Sequence, residues 1–147
     1  MVSIFHKKKS ASSSSCLICR RKLSLSENID QLTELLRTLE SVNSDVQGSS
    51  IVSVQGLPIC SALARDVNDG IVSAMSAAIQ SVSERAVEEL ARGSLKRILI
   101  EGEDGTIILS KAGNNAILCV LCQKDAKIGM VFINIESVAK KVAELLD

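Results

Sequence analysis

Aromatic side chains are almost missing from this chain: Phe5 and Phe132 are present, and there is no Trp or Tyr. A surface that stacks single-stranded bases or sugars needs several ring faces, so that class of function is excluded. Histidine occurs once, as His6, which leaves triads and metal sites that depend on a core histidine without a candidate. Neither GxxxxGK[ST] nor GxGxxG occurs, so the chain is not expected to bind nucleotide itself. No apolar run approaches the roughly 18–20 residues of a membrane span. The start, MVSIFHKKK, places its apolar residues before its lysines, the reverse of a secretory signal. Myristoyl and prenyl attachment motifs are lacking as well.

What is present is a core. A chain of 147 residues with 46% hydrophobic side chains is one domain and can bury a substantial interior, which excludes global disorder. The formal charge is zero, but unevenly spread. Residues 1–26 carry Lys7, Lys8, Lys9, Arg20, Arg21 and Lys22 and no acid, while the rest holds eleven basic against seventeen acidic side chains, a net charge of −6. We therefore treat residues 1–24 as a flexible basic tail containing Ser and Cys, and residues 25–147 as the folded domain. The tail is either a solubilising arm or an electrostatic contact with an anionic surface, and phosphorylation within Ser12–Ser15 would weaken the latter. Five cysteines, an odd number, in a chain that needs no staples fit a reducing interior. The expected location is cytoplasmic, peripheral at a membrane if the tail finds anionic lipid.

Ser24 and Glu27 stand at capping-box spacing. Ile29, Leu32, Leu35, Leu36, Leu39 and Val42 follow at helical intervals, giving an amphipathic helix over roughly residues 25–43, ended by SDVQGSS. Ile51, Val52 and Val54 form a strand, Gln55-Gly56 turns the chain, and Leu57, Ile59 and Leu63 line a second. Pro58 has no N–H and belongs at that strand's start or on an unpaired edge. Asp66 to Arg92 reads as a long helix, with Asp66 or Asn68 near its cap and Gly93 at its stop. Three strands come next, Leu95–Glu101, Thr106–Lys111 and Ala116–Cys122; the turns GEDG and AGNN make them an antiparallel meander. Ala116–Cys122 is apolar throughout, as a central strand covered on both faces requires. In Ala126–Leu146, MVFINI has strand propensity, but Ile128, Val131, Ile135, Val138, Val142 and Leu145 keep a helical period, and a helix is expected. The fold class is α+β: a five-stranded antiparallel sheet between helices.

The long helix carries two surfaces. Ile71, Met75, Ala78, Ile79, Val82, Ala86 and Leu90 form a stripe expected to face the core. Its flank, Ser73, Ala74, Ser76, Ala77 and Ser81, is unusually small. Either these residues simply tolerate a helix, or they let another helix approach closely, most economically a twofold copy of the same one.

Cys16 and Cys19 have zinc-knuckle spacing, but four ligands are needed and the tail supplies two, so they are weak metal candidates, with coincidence or reversible thiol chemistry as the alternatives. On a strand, Cys119 and Cys122 point to opposite faces and cannot converge on one ion, so they read as core packing, as does Cys60. Glu101, Glu103 and Asp104 lack the alternating oxygens of an EF-hand, and Gly102 and Gly105 suit a tight hairpin. Arg85 and Arg92 are expected to pair with Glu84, Glu88 and Glu89 rather than to serve as arginine fingers. No catalytic constellation, cofactor site or specific nucleic-acid site is expected.

The order of elements, together with SSIVSVQGLPICSAL at 49–63, MSAAIQSVSERAVEELARG at 75–93 and ILIEGEDGTIILSKAGNNAILCVL at 98–121, resembles the roadblock / dynein light chain family, in its MglB-like branch of small-GTPase regulators. Gly56-Leu57-Pro58-Ile59 and Glu101-Gly102-Glu103-Asp104-Gly105 match best, and the likeness covers roughly residues 29–146. The resemblance implies a roadblock-like α-ββ-α-βββ-α domain that dimerises through the long central helix and the third strand, as a homodimer or as a heterodimer with another roadblock-like chain. The implied interface holds Ser73, Ala74, Ser76, Ala77, Gln80 and Ser81 on the helix and Leu95, Arg97 and Leu99 on the strand. It further implies a non-enzymatic scaffold or regulator that binds a Ras-like small GTPase and modulates its hydrolysis of GTP. The alternative is a metal- or thiol-dependent adaptor acting through the CLIC segment at residues 16–19.

Overall fold

The computed structural model describes residues 26–147. The expected tail, with Cys16 and Cys19, lies outside the described residues. Helix α1 occupies residues 26–42. It is followed by strands β1 (Val46–Ser53) and β2 (Pro58–Ala62), helix α2 (Asp69–Glu89), strands β3 (Arg97–Glu101), β4 (Gly105–Ala112) and β5 (Ala116–Gln123), and helix α3 (Ile128–Leu146). The five strands form one antiparallel sheet in the order β2-β1-β5-β4-β3.

β5 is the central strand, which is why AILCVLC can be apolar on both faces. Leu118, Val120 and Cys122 join a core beneath α1 and α3, with Leu32, Leu36, Leu39, Val131, Ile135 and Val142. Ile117 and Cys119 point the other way, into a smaller core under α2 that takes in Leu109, Val72, Ala77, Ile79 and Ile98. The molecule is thus three layers: α1 and α3, sheet, α2. The period of two along β5 separates Cys119 from Cys122, as expected of a strand.

Two boundaries move inward from the sequence reading. α2 starts at Asp69 because the Asn68 side chain accepts from the Ile71 N–H at 3.1 Å, which satisfies a first-turn donor. It stops at Leu90, with Ala91 and Gly93 at positive φ. One strand begins well before its expected position: β1 opens at Val46, inside the SDVQGSS segment expected only to end α1. Ser49 and Ser50 are fully buried there, because β1 pairs with both β2 and β5. Their hydroxyls are satisfied locally, Ser49 donating to Glu40 Oε1 at 3.1 Å and Ser50 to the Cys60 carbonyl at 3.4 Å. Pro58 is the first residue of the edge strand β2, where its missing N–H costs no ladder bond.

Polar side chains tie the layers at their ends. Asp45, between α1 and β1, accepts from Gln123 Nε2 at 2.7 Å and from the Lys127 N–H at 3.0 Å, which fixes the end of β5 to the start of α3. Buried Asn43 donates to the Leu39 carbonyl and accepts from Asn134 Nδ2 at 2.8 Å, joining α1 to α3. Asp147 accepts from the Asn114 N–H at 3.2 Å and from Asn115 Nδ2 at 3.2 Å, across the β4–β5 turn.

Candidate interaction surface

Which side of α2 meets the sheet decides what the chain can offer a partner. Ser73, Ser76 and Gln80 are buried, at 0%, 4% and 4% exposure. Ser73 donates to the Asp69 carbonyl at 2.6 Å, Gln80 donates to Glu84 Oε1 at 3.1 Å, and the Ser76 hydroxyl reaches the Cys119 thiol. Ala77 packs with them against the sheet, and the β1–β2 turn at Gly56, with φ +89°, stands against Ala74 and Ala77. Small side chains do permit a close approach, but the neighbour is the chain's own sheet.

The stripe expected to form the core is corrected accordingly. Ile71 is 57% exposed, Met75 52%, Val82 70% and Leu90 68%, with Ala78 and Ala86 exposed between them. Only Ile79 of that set is part of the inner packing. A periodic apolar stripe identifies residues that share a face but not what covers it. Of the interface residues expected on α2, Ser73, Ser76 and Gln80 are covered within the protomer and Ala77 is half-buried, while Ala74 and Ser81 are exposed. On the β3 side Leu95 is half-buried and Arg97 and Leu99 are exposed.

β3 is an edge, hydrogen-bonded to β4 alone. Its register with β4 places Ile98 opposite Leu109 and Ile100 opposite Ile107, on the α2 side of the sheet, and Arg97, Leu99 and Glu101 on the α3 side. The Arg97 guanidinium lies 4.6 Å from the centre of the Phe132 ring of α3, a cation–π contact that holds it on that face. Beside it a groove of about 560 Å³ runs between β3 and α3, lined in part by Leu95, Ser110, Ala139 and Lys140.

Burial pushes the thiols of Cys60, Cys119 and Cys122 up, and the nearby Asp45 charge adds to this at Cys122, so none is poised as a thiolate. Glu84 is held below the usual carboxylate range by the Gln80 amide and then by Lys111, whose Nζ lies 3.3 Å away. That is the one ion pair among the described residues. Arg85 and Arg92 form no ion pair with Glu84, Glu88 or Glu89 among the described residues, and Glu84 is engaged by Lys111 instead. In the β3–β4 turn the Gly102 N–H donates to the Gly105 carbonyl at 2.8 Å, with Glu101, Glu103 and Asp104 exposed. Among the described residues no three His, Cys, Asp or Glu side chains stand close enough to share a metal ion.

A family model of the Roadblock/LC7 domain matches residues 31–122, from within α1 to the end of the central strand. The chain belongs to the Roadblock/LC7 family. Two uncharacterised proteins of Methanocaldococcus jannaschii are similar to this Roadblock/LC7 chain. One is 34% identical over 97 residues, covering 66% of the chain and 84% of the relative; the other is 34% identical over 111 residues, covering 76% and 89%. The fold of the gliding protein MglB from Thermus thermophilus superimposes with a TM-score of 0.72 at 13% identity, over 80% of this chain and 90% of that one. A Roadblock/LC7 domain from Streptomyces avermitilis gives a TM-score of 0.60 at 26% identity, over 76% and 97%. No helix among the described residues of the Roadblock/LC7 chain is long and apolar enough to cross a membrane.

Proposed function

We propose that the chain is a non-enzymatic, dimeric platform in the cytoplasm that binds a Ras-like small GTPase and modulates its hydrolysis of GTP. The observation that carries this reading is the exposed stripe Ile71, Met75, Ala78, Val82, Ala86 and Leu90, an apolar ridge along the whole of α2. Such a ridge is costly in water and matches a helix–helix seam between two protomers. The unpaired edge of β3 is a second surface that calls for a mate. Pairing both would leave a continuous sheet with two α2 helices on one side. That surface can favour one arrangement of a GTPase's switch segments, which alters hydrolysis without supplying a catalytic group. The basic segment at residues 1–24 would add an electrostatic contact with anionic lipid.

Val82→Arg tests the seam. An unpaired charge in a closed helix contact costs roughly 3–5 kcal/mol, enough to leave monomers at micromolar concentration. Sedimentation should show dimers for the wild type and monomers for the variant. Hydrolysis by a small GTPase captured from the native lysate should change when the wild type is added and not when Val82→Arg is. A GTPase that binds but hydrolyses at its own rate would make the protein a passive platform, and failure to bind any small GTPase would reject the reading.

A further inference from the structure

The edge strand β3 reads Arg97-Ile98-Leu99-Ile100-Glu101, with a cation at one end, an anion at the other and three aliphatic residues between. We propose that this strand is a charge-coded self-recognition element: two copies pair antiparallel about Leu99, with Arg97 of each chain opposite Glu101 of the other. The inference rests on the dimer reading above and adds which register forms and why the mate is a second copy of this chain.

The argument is one of parity and sign. Two β3 strands that continue one sheet, with both α2 helices on the same side, must set side chains of the same face opposite each other. Arg97, Leu99 and Glu101 share the α3 side and Ile98 and Ile100 the α2 side, so a twofold axis through Leu99, Ile98 or Ile100 meets that condition. Centred on Leu99, the pairing sets Leu99 against Leu99, Ile98 against Ile100 and Arg97 against Glu101, twice by symmetry. Centred on Ile98, it sets Arg97 against Leu99 and Leu95 against Glu101. Centred on Ile100, it sets Leu99 against Glu101 and Arg97 against Glu103. Within the strand Arg97–Glu101, only the first opposes both charges with their opposites and every apolar side chain with another; beyond the strand it sets Leu95 against Glu103 and Lys96 against Gly102. Directly opposed residues have Cβ atoms about 4.5–5.5 Å apart, within reach of a guanidinium–carboxylate pair.

The protomer is ready for this pairing. Glu101 makes no ion pair among the described residues, and the Arg97 guanidinium is kept on the α3 face by Phe132. Leu99 is 42% exposed at the centre of the strand. A chain without the same sign pattern at these two positions would meet a like charge or an apolar side chain, so the code selects for self.

Arg97→Glu and Glu101→Arg each convert two attractive pairs into two repulsive ones in the self-dimer. Each variant alone should dimerise at least about tenfold more weakly than the wild type, read by sedimentation, with folding checked by circular dichroism. Mixed in equal amounts, the two variants restore both attractive pairs. Native mass spectrometry should then show mostly the mixed dimer. The double variant R97E/E101R should self-associate like the wild type, and the dissociation constant of R97Q/E101Q should lose the salt dependence of the wild type. Single variants that dimerise normally, or mixtures without a preference for the mixed species, overturn the charge code while leaving the dimer standing. A wild type that stays monomeric overturns both.

Discussion

Asp45 ties the end of β5 to the start of α3: its backbone carbonyl takes the Gln123 N–H at 2.9 Å while its carboxylate takes the Gln123 amide and the Lys127 N–H. The backbone bond from Lys127, then the Gln123 side chain, holds its pKa below the usual carboxylate value of 3.8. A depressed carboxylate contributes stability that is present above its unfolded pKa and lost as pH falls through its folded one. Denaturant titrations of wild type and Asp45→Asn should therefore differ most near neutral pH and converge from about pH 5 downward. A gap that does not change with pH would remove the carboxylate from this role. Gly105 is a second residue whose identity is fixed by its surroundings. A Cβ there would sit 2.6 Å from the Cys122 carbonyl of the neighbouring strand, so Gly105→Ala should cost about 1–3 kcal/mol in chemical denaturation. At this scale the sequence was readable where a period decided the matter, as in the opposed faces of Cys119 and Cys122. It was silent on Asp45, Asn43 and Asp147, because their partners are distant in the chain and no local pattern announces them.

Among elements, β5 and α2 make opposite use of apolar residues. Ala116 to Val120 of β5 are all buried, on alternate faces of the sheet, so Leu118→Ala should destabilise by about 2–5 kcal/mol in equilibrium unfolding. Removing similar bulk from α2 at Val82 should change the stability of the isolated protomer by no more than about 0.5 kcal/mol, because its side chain is 70% exposed there. This contrast also explains what was legible. The strands β3, β4 and β5 were visible because short turn segments bound them, β5 as an unbroken apolar run covered on both faces, and the helix α3 because its one covered face keeps a helical period. β1 was hidden in its first half because Gly48, Ser49 and Ser50 have poor strand propensity and owe their place to pairing on both sides. α2 was recognised as a helix, but its orientation was inverted: its sheet-facing side is built from Ser73, Ser76 and Gln80 and its outer side from Ile71, Met75 and Val82. Local periodicity cannot tell the shelter of a sheet from that of a second chain.

For the molecule as a whole, a dimer that buries the α2 ridge and the β3 edge links folding to association. Its Tm should rise with protein concentration, each tenfold step adding about 1.4 kcal/mol and hence a few degrees. A Tm unmoved over a hundredfold range of concentration would mean that the ridge is unpaired at equilibrium. The layered α+β architecture was open to reading from the order of its elements, since short connections between antiparallel strands leave few topologies. The rim position of β3 follows from the same meander, whereas β5 is central because β1 pairs with its other side.

The hydroxyls and amide under α2, and the aliphatic side chains on its back, mean that a newly made subunit presents to the cell what quality control reads as a mark of failed folding. Were a second copy to close that ridge, as proposed, the same pairing would hide it from chaperones and proteases, and association would double as the inspection that lets a subunit survive.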